Sequence, residues 1–84
     1  REQFAYTVLW ESLTRNQQRF LKAFASLDSS AKPFASEFLQ RHRLGSPSAA
    51  QRVVATLLES DVIDRDNGSF VILDRFFRLW IRRL

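Results

Sequence analysis

The stretch Leu44-Gly45-Ser46-Pro47-Ser48-Ala49-Ala50-Gln51-Arg52-Val53-Val54 decides how this chain folds. Gly45 suits a tight stop, because glycine accepts the positive φ that commonly follows a helix end. Ser46 then reads as a helix N-cap and Pro47 as the first helical residue, where its missing N–H costs nothing. Beyond them Ala50, Val53, Val54, Leu57 and Leu58 recur at helical spacing, which predicts a helix with one buried face running to about Ser60. On the other side, Ala35, Phe38, Leu39 and His42 repeat at the same period after Pro33, a residue suited to a turn or an early helical position, and predict a short helix. The decisive unit is therefore two helices joined by a glycine-containing turn.

Upstream, Tyr6, Leu9, Trp10 and Leu13 stand at i, i+3, i+4 and i+7, the stripe of a first helix that ends near Ser12 or Leu13. Thr14-Arg15-Asn16-Gln17 fits a capping box and starts a second helix, whose apolar face is Phe20, Leu21, Phe24, Ala25 and Leu27. Asp28-Ser29-Ser30 breaks that pattern, and a polar loop follows to Lys32. Downstream, Val62 to Arg65 and Ser69 to Leu73 read as short strands around the turn Asp66-Asn67-Gly68, which predicts a hairpin. Asp74 caps a last helix, with Phe76, Phe77, Trp80, Ile81 and Leu84 expected on a core-facing stripe and Arg75, Arg78 and Arg82 on another.

The 84 residues allow one domain with one modest core, and 45% hydrophobic residues with only 2 Gly and 2 Pro mark a folding chain rather than a disordered one. The fold class expected is mainly α with a small β-hairpin, a single domain over residues 1–84, in which 1–13 supply a linker and first helix. Cysteine is absent and histidine occurs once, which excludes disulfides and thiolate metal sites and leaves no zinc ligand set. No apolar run nears the roughly 20 residues needed to span a bilayer, and no signal peptide pattern opens the chain, so a soluble, cytoplasmic protein without membrane contact is expected. Methionine is also absent and the chain begins Arg1-Glu2-Gln3-Phe4, the expectation being that it is a piece of a longer protein.

Charge is uneven along the chain. The net +4 divides into +2 over Arg1 to Lys32, −1 over Pro33 to Leu73 and +3 over Asp74 to Leu84. A basic balance favours an anionic partner, yet the middle segment, which holds the two-helix unit and the hairpin, is slightly acidic.

A helix, a helix-turn-helix and a two-stranded ribbon in this order form the winged helix-turn-helix layout. Within it, Ser36-Glu37-Phe38-Leu39, Leu44-Gly45-Ser46-Pro47-Ser48 and Asp74-Arg75-Phe76-Phe77-Arg78-Leu79-Trp80 resemble the C-terminal winged-helix domain of archaeal-type AAA/STAND ATPases, over roughly Leu13 to Leu84. That family usually has proline after the aspartate of the last segment, and Arg75 stands here instead. The resemblance implies a nucleotide-hydrolysing module upstream, with ATP and Mg²⁺ bound there, and this domain appended as a DNA-binding or regulatory unit. This chain has no Gly-x-x-x-x-Gly-Lys-Ser/Thr phosphate cradle of its own, glycine occurring only at 45 and 68.

In a helix-turn-helix the second helix enters the major groove of double-stranded DNA, so the candidate contacts are Ser46, Ser48, Gln51 and Arg52. Gln pairs with adenine, Arg with guanine or phosphate, and a capped N-terminus welcomes a phosphate oxygen. The plainer alternative is that Ser46 only caps, Ser48 and Gln51 are solvated, and Arg52 pairs with a carboxylate. Arg41 and Arg43 add to the interface if they gather at the turn beside Arg52. Arg65, Asn67 and Ser69 are the wing candidates, with Asp64 and Asp66 opposing them. Arg75, Arg78, Arg82 and Arg83 form the most basic row, suited to phosphate, to an acidic face of the upstream module, or only to the helix dipole. His42 is expected to be partly buried rather than catalytic, and Asp61, Asp64 and Asp66 to be solvated. No acid, base and nucleophile set emerges, so this piece is expected not to be an enzyme. A rival function is a protein-interaction or autoregulatory domain, in which Tyr6 and Trp10 face outward to receive a partner.

Overall fold

A computed structural model of the chain describes residues 2–26, 36–66 and 69–84, and in it the elements run α1 (Glu2–Ser12), α2 (Arg15–Ser26), α3 (Ser36–Arg41), α4 (Pro47–Glu59), β1 (Ile63–Asp66), β2 (Ser69–Ile72) and α5 (Arg75–Arg82). The expected mainly α fold with one hairpin is what forms. Arg1, residues 27–35 (with Leu27, the loop from Asp28 to Lys32, Pro33 and Ala35) and the turn residues Asn67 and Gly68 lie outside the described residues, as do the side chains of Glu2, Gln3 and Ser69.

Local chemistry sets most of the boundaries. The capping box closes reciprocally: Thr14 N–H donates to Gln17 Oε1 at 2.8 Å and Gln17 N–H to Thr14 Oγ1 at 3.2 Å. Ser46 Oγ accepts from Ala49 N–H, and Asp74 Oδ1 accepts from the Phe76 and Phe77 amides, capping α4 and α5. Two helices end in the same way. At the end of α3, Leu44 N–H donates to Leu39 O and Arg43 N–H to Gln40 O; at the end of α4, Val62 N–H donates to Leu57 O and Asp61 N–H to Leu58 O. These paired bonds are Schellman motifs, and the left-handed residue each requires is Arg43 (φ 55°) or Asp61 (φ 58°). Sequence reading assigned the stop after α3 to Gly45. Gly45 is indeed left-handed (φ 83°), but it redirects the chain into the α4 cap two residues after Arg43 has ended α3. The second motif also explains why β1 begins at Ile63 rather than Val62, since the Val62 amide is spent on the helix end.

α2 is the hub. It packs against α4, α5 and β2, while α3 and β1 lie on α4 and α1 lies on α5. Phe20, Leu21 and Phe24 from α2 meet Phe38, Leu39 and Leu44, then Ala50, Val54 and Leu57 of α4, Ile63 and Ile72 of the hairpin, and Phe77 and Ile81 of α5. The hairpin is antiparallel with Ile63 opposite Ile72 and Arg65 opposite Phe70, so alternation places these four on its core face and Asp64 and Asp66 on the other.

Three expectations are corrected. Phe76 is 62% exposed while Phe77 is 2% exposed, so α5 is rotated to turn Phe76 away from the core; Leu84, beyond the last turn, is exposed as well. Tyr6 and Trp10 do not face outward. Their rings lie 5.2 Å from Phe77 and 6.1 Å from Trp80 respectively, and Lys22 Nζ sits 6.0 Å from the Trp10 ring centre. Their large apolar faces are worth more against α5 than in water.

Candidate nucleic-acid interface

Helical phase decides what α4 shows to solvent. Ala50, Val54 and Leu57 are buried, so the opposite flank, Ser48, Gln51, Arg52, Ala55 and Thr56, is exposed. Ala55 leaves the centre of this flank low, and the Thr56 hydroxyl donates back to Arg52 O at 3.1 Å, keeping it close to the helix. The side chains of Ser48, Gln51 and Arg52 meet no hydrogen-bond or ion-pair partner among the described residues, so the carboxylate envisaged for Arg52 is not found there. Ser46 is exposed too. Its oxygen is engaged as the cap, which leaves the hydroxyl proton free to donate.

Arg19 was missed by the sequence reading. Its Nη1 donates to the Arg43 carbonyl over a long 3.5 Å, which draws a guanidinium from α2 to the turn that precedes α4. The two residues are 24 apart in the chain, and no local pattern announces the contact. Arg41 and Arg43 are exposed on the same connection. The exposed carboxylates Glu59 and Asp61 stand at the far end of α4, so positive charge gathers at its N-terminal end, where the helix dipole also favours an anion.

The other candidates are not brought together with these. Arg65 shares the hairpin's core face with Phe70, its guanidinium 5.8 Å from that ring, and Phe70 in turn lies 6.0 Å from Phe24. The charge is exposed but its stem covers an aromatic ring, which gives it a packing role. Asp64 accepts from the Arg65 amide, and Asp64 and Asp66 are solvated on the opposite face. Asn67 is outside the described residues. Arg78 is half-buried and has a partner, while Arg75, Arg82 and Arg83 are exposed. All four ride on or end α5, whose main neighbours are α1, α2 and β2, whereas those of α4 are α2, α3 and β1. The two basic rows therefore occupy different parts of the surface.

His42 is half-buried with its ring 4.7 Å from Phe38. Burial, and then the neighbouring Arg41 charge, hold its pKa below the ordinary 6.5, which keeps it neutral at physiological pH. Asp74 is partly desolvated, which raises its pKa, but the bonds from the Phe77 amide, the Tyr6 hydroxyl and the Phe76 amide outweigh this and hold it below the ordinary 3.8. Among the described residues no group of His, Asp or Glu gathers in a metal-binding arrangement, and no helix is long and apolar enough to cross a membrane. Gly45 lies between two helices, α3 and α4, whereas a P-loop phosphate cradle lies between a strand and a helix.

A family model described as a probable winged helix domain matches residues 4–83. No curated protein and no solved structure matches the chain.

Proposed function

The chain belongs to this probable winged helix domain family, and from that premise we propose that it is a non-catalytic module that binds double-stranded DNA through α4. The observation that carries the reading is the exposed flank Ser48, Gln51 and Arg52, without a side-chain partner among the described residues, directly behind a turn that gathers Arg19 and Arg43. Gln51 supplies the donor and acceptor groups that read a base edge, and Arg52 and the arginines around the turn neutralise phosphates. Arg19 and Arg41 raise the positive charge at the entrance to α4 and offset the acidic balance of the hairpin. In this proposal the parent protein is an AAA/STAND-type ATPase. ATP and Mg²⁺ would then bind in a part of it outside this chain.

Fluorescence anisotropy with a mixed-sequence duplex at several salt concentrations tests the proposal. If Arg19, Arg41, Arg43 and Arg52 all touch phosphates, log K falls against log salt with a slope of about −3.6, and Arg52→Ala reduces it to about −2.7. Absence of duplex binding at low salt, or binding that Arg52→Glu leaves unchanged, refutes it.

A further inference from the structure

The outward face of α5 combines two properties that the fold itself does not use. Phe76 (62% exposed) and Leu79 (47% exposed) lie on it three residues apart, and Arg75, Arg82 and Arg83 surround them at the i+3, i+4 and i+7 positions of the same surface. Among the described residues no carboxylate pairs with these three arginines. The nearest acidic group in sequence, Asp74, is already committed to the Tyr6 hydroxyl at 2.9 Å and to the helix amides. Exposed Phe and Leu among arginines that no described carboxylate neutralises form an apolar anchor with a positive rim.

We propose that this face of α5 docks an acidic protein segment that carries two or three apolar side chains flanked by carboxylates. Charge complementarity selects this occupant. A second copy of the chain would bring the two sets of arginines against each other without counter-charge. A lipid surface takes up helices whose apolar and charged faces are segregated, whereas here Phe76 and Leu79 are interleaved with Arg75, Arg82 and Arg83. Nucleic acid would satisfy the arginines while pressing Phe76 and Leu79 against hydrated phosphates. An acidic, apolar segment satisfies both at once: the rings and methyls leave water, and each guanidinium faces a carboxylate. The inference rests on α5 alone and stands or falls independently of DNA binding by α4.

The test is a ¹H–¹⁵N NMR titration of the 84-residue chain with a synthetic 16-residue peptide that presents leucines flanked by glutamates. The same peptide with lysine in place of glutamate, anionic phosphatidylserine vesicles and a DNA duplex serve as comparisons. The expected result is a set of shifts confined to Arg75–Arg83 and the neighbouring end of β2. Affinity should weaken at least about tenfold, or about 1.4 kcal/mol, in Phe76→Ser/Leu79→Ser and in Arg82→Glu. Both variants alter only exposed positions, and unchanged amide spectra elsewhere show that they fold. No shift on α5 at millimolar peptide, equal binding by the double variant, preference for the lysine peptide, or vesicles, DNA or self-association perturbing α5 in place of the acidic peptide would each overturn the proposal.

Discussion

Phe76 and Phe77 are chemically identical neighbours, and the structure gives them opposite energetic weight. The Phe77 ring is enclosed between α1 and α2, with ring centres of Tyr6 and Trp80 at 5.2 and 5.9 Å. Truncating such a ring removes its transfer free energy, leaves a cavity and cancels two aromatic pairings, so Phe77→Ala should cost about 4 kcal/mol. Against a total stability of about 4–13 kcal/mol for a chain of this size, that is between a third and all of it. At about 4–8 °C per kcal/mol, the melting point should fall by about 16–32 °C. Phe76→Ala, on the exposed side, should change stability by no more than about 0.5 kcal/mol. Urea unfolding followed by far-UV circular dichroism is the suitable assay, because Trp80 fluorescence would change through loss of its ring neighbour alone. Phe77→Leu, which preserves most of the volume, should cost less than about 1.5 kcal/mol and keeps a folded reference if the alanine variant does not fold. Equal losses at the two positions, or a larger loss at Phe76, would show that α5 presents a different face to the core, and the docking inference would fail with it.

Four further outcomes follow from named contacts. His42 and Asp74 both have folded-state pKa values below ordinary, so each contributes stability that is present above its ordinary pKa and lost as pH falls through the folded value. Urea midpoints should therefore be level above neutrality, decline below pH 6.5 and decline again below pH 3.8, with His42→Gln removing only the first step. Gly45→Ala should cost about 1–2 kcal/mol through its left-handed backbone alone, since the added Cβ would meet only Ala49 Cβ at an ordinary 3.9 Å. Arg43→Gly should by contrast stabilise by about 0.5–1 kcal/mol by relieving the same conformation, and weaken duplex binding; both readouts come from one denaturation series and one anisotropy series. Tyr6→Phe, which keeps the ring but removes the hydroxyl bond to Asp74, should raise the Asp74 pKa toward its ordinary value, as measured by carboxyl ¹³C titration.

What the sequence made legible was chemistry that acts within four residues. The Thr14–Gln17 box, the Ser46-Pro47 start and the Asp74 cap each depend on a side chain reaching its own helix end, and each forms where the residues indicate. Helical phase was harder to read where apolar residues are crowded. In α5, positions 76, 77, 79, 80 and 81 are all apolar, and only packing against α2 selects Phe77 and Ile81 over Phe76 and Leu79. The α1 residues Tyr6 and Trp10 were ambiguous for a related reason, because Phe4 and Val8 make the opposite face apolar as well. At the candidate interface, the exposure of Ser48, Gln51 and Arg52 follows from the period of α4, whereas the approach of Arg19 to Arg43 depends on how α2 crosses the turn. Arg43 as the left-handed residue was hidden because a glycine two positions later offered a more obvious choice.

The bond from Tyr6 to Asp74 joins residues 68 apart, and the interleaved rings of Tyr6, Trp10, Phe77 and Trp80 reinforce it. The first and last helices thus melt as a pair: fraying α1 strips a donor from the residue that caps α5, and loosening α5 uncovers the aromatic bed of α1. Amide exchange in the two helices should accordingly be coupled, so that a substitution loosening α5 also speeds exchange in α1.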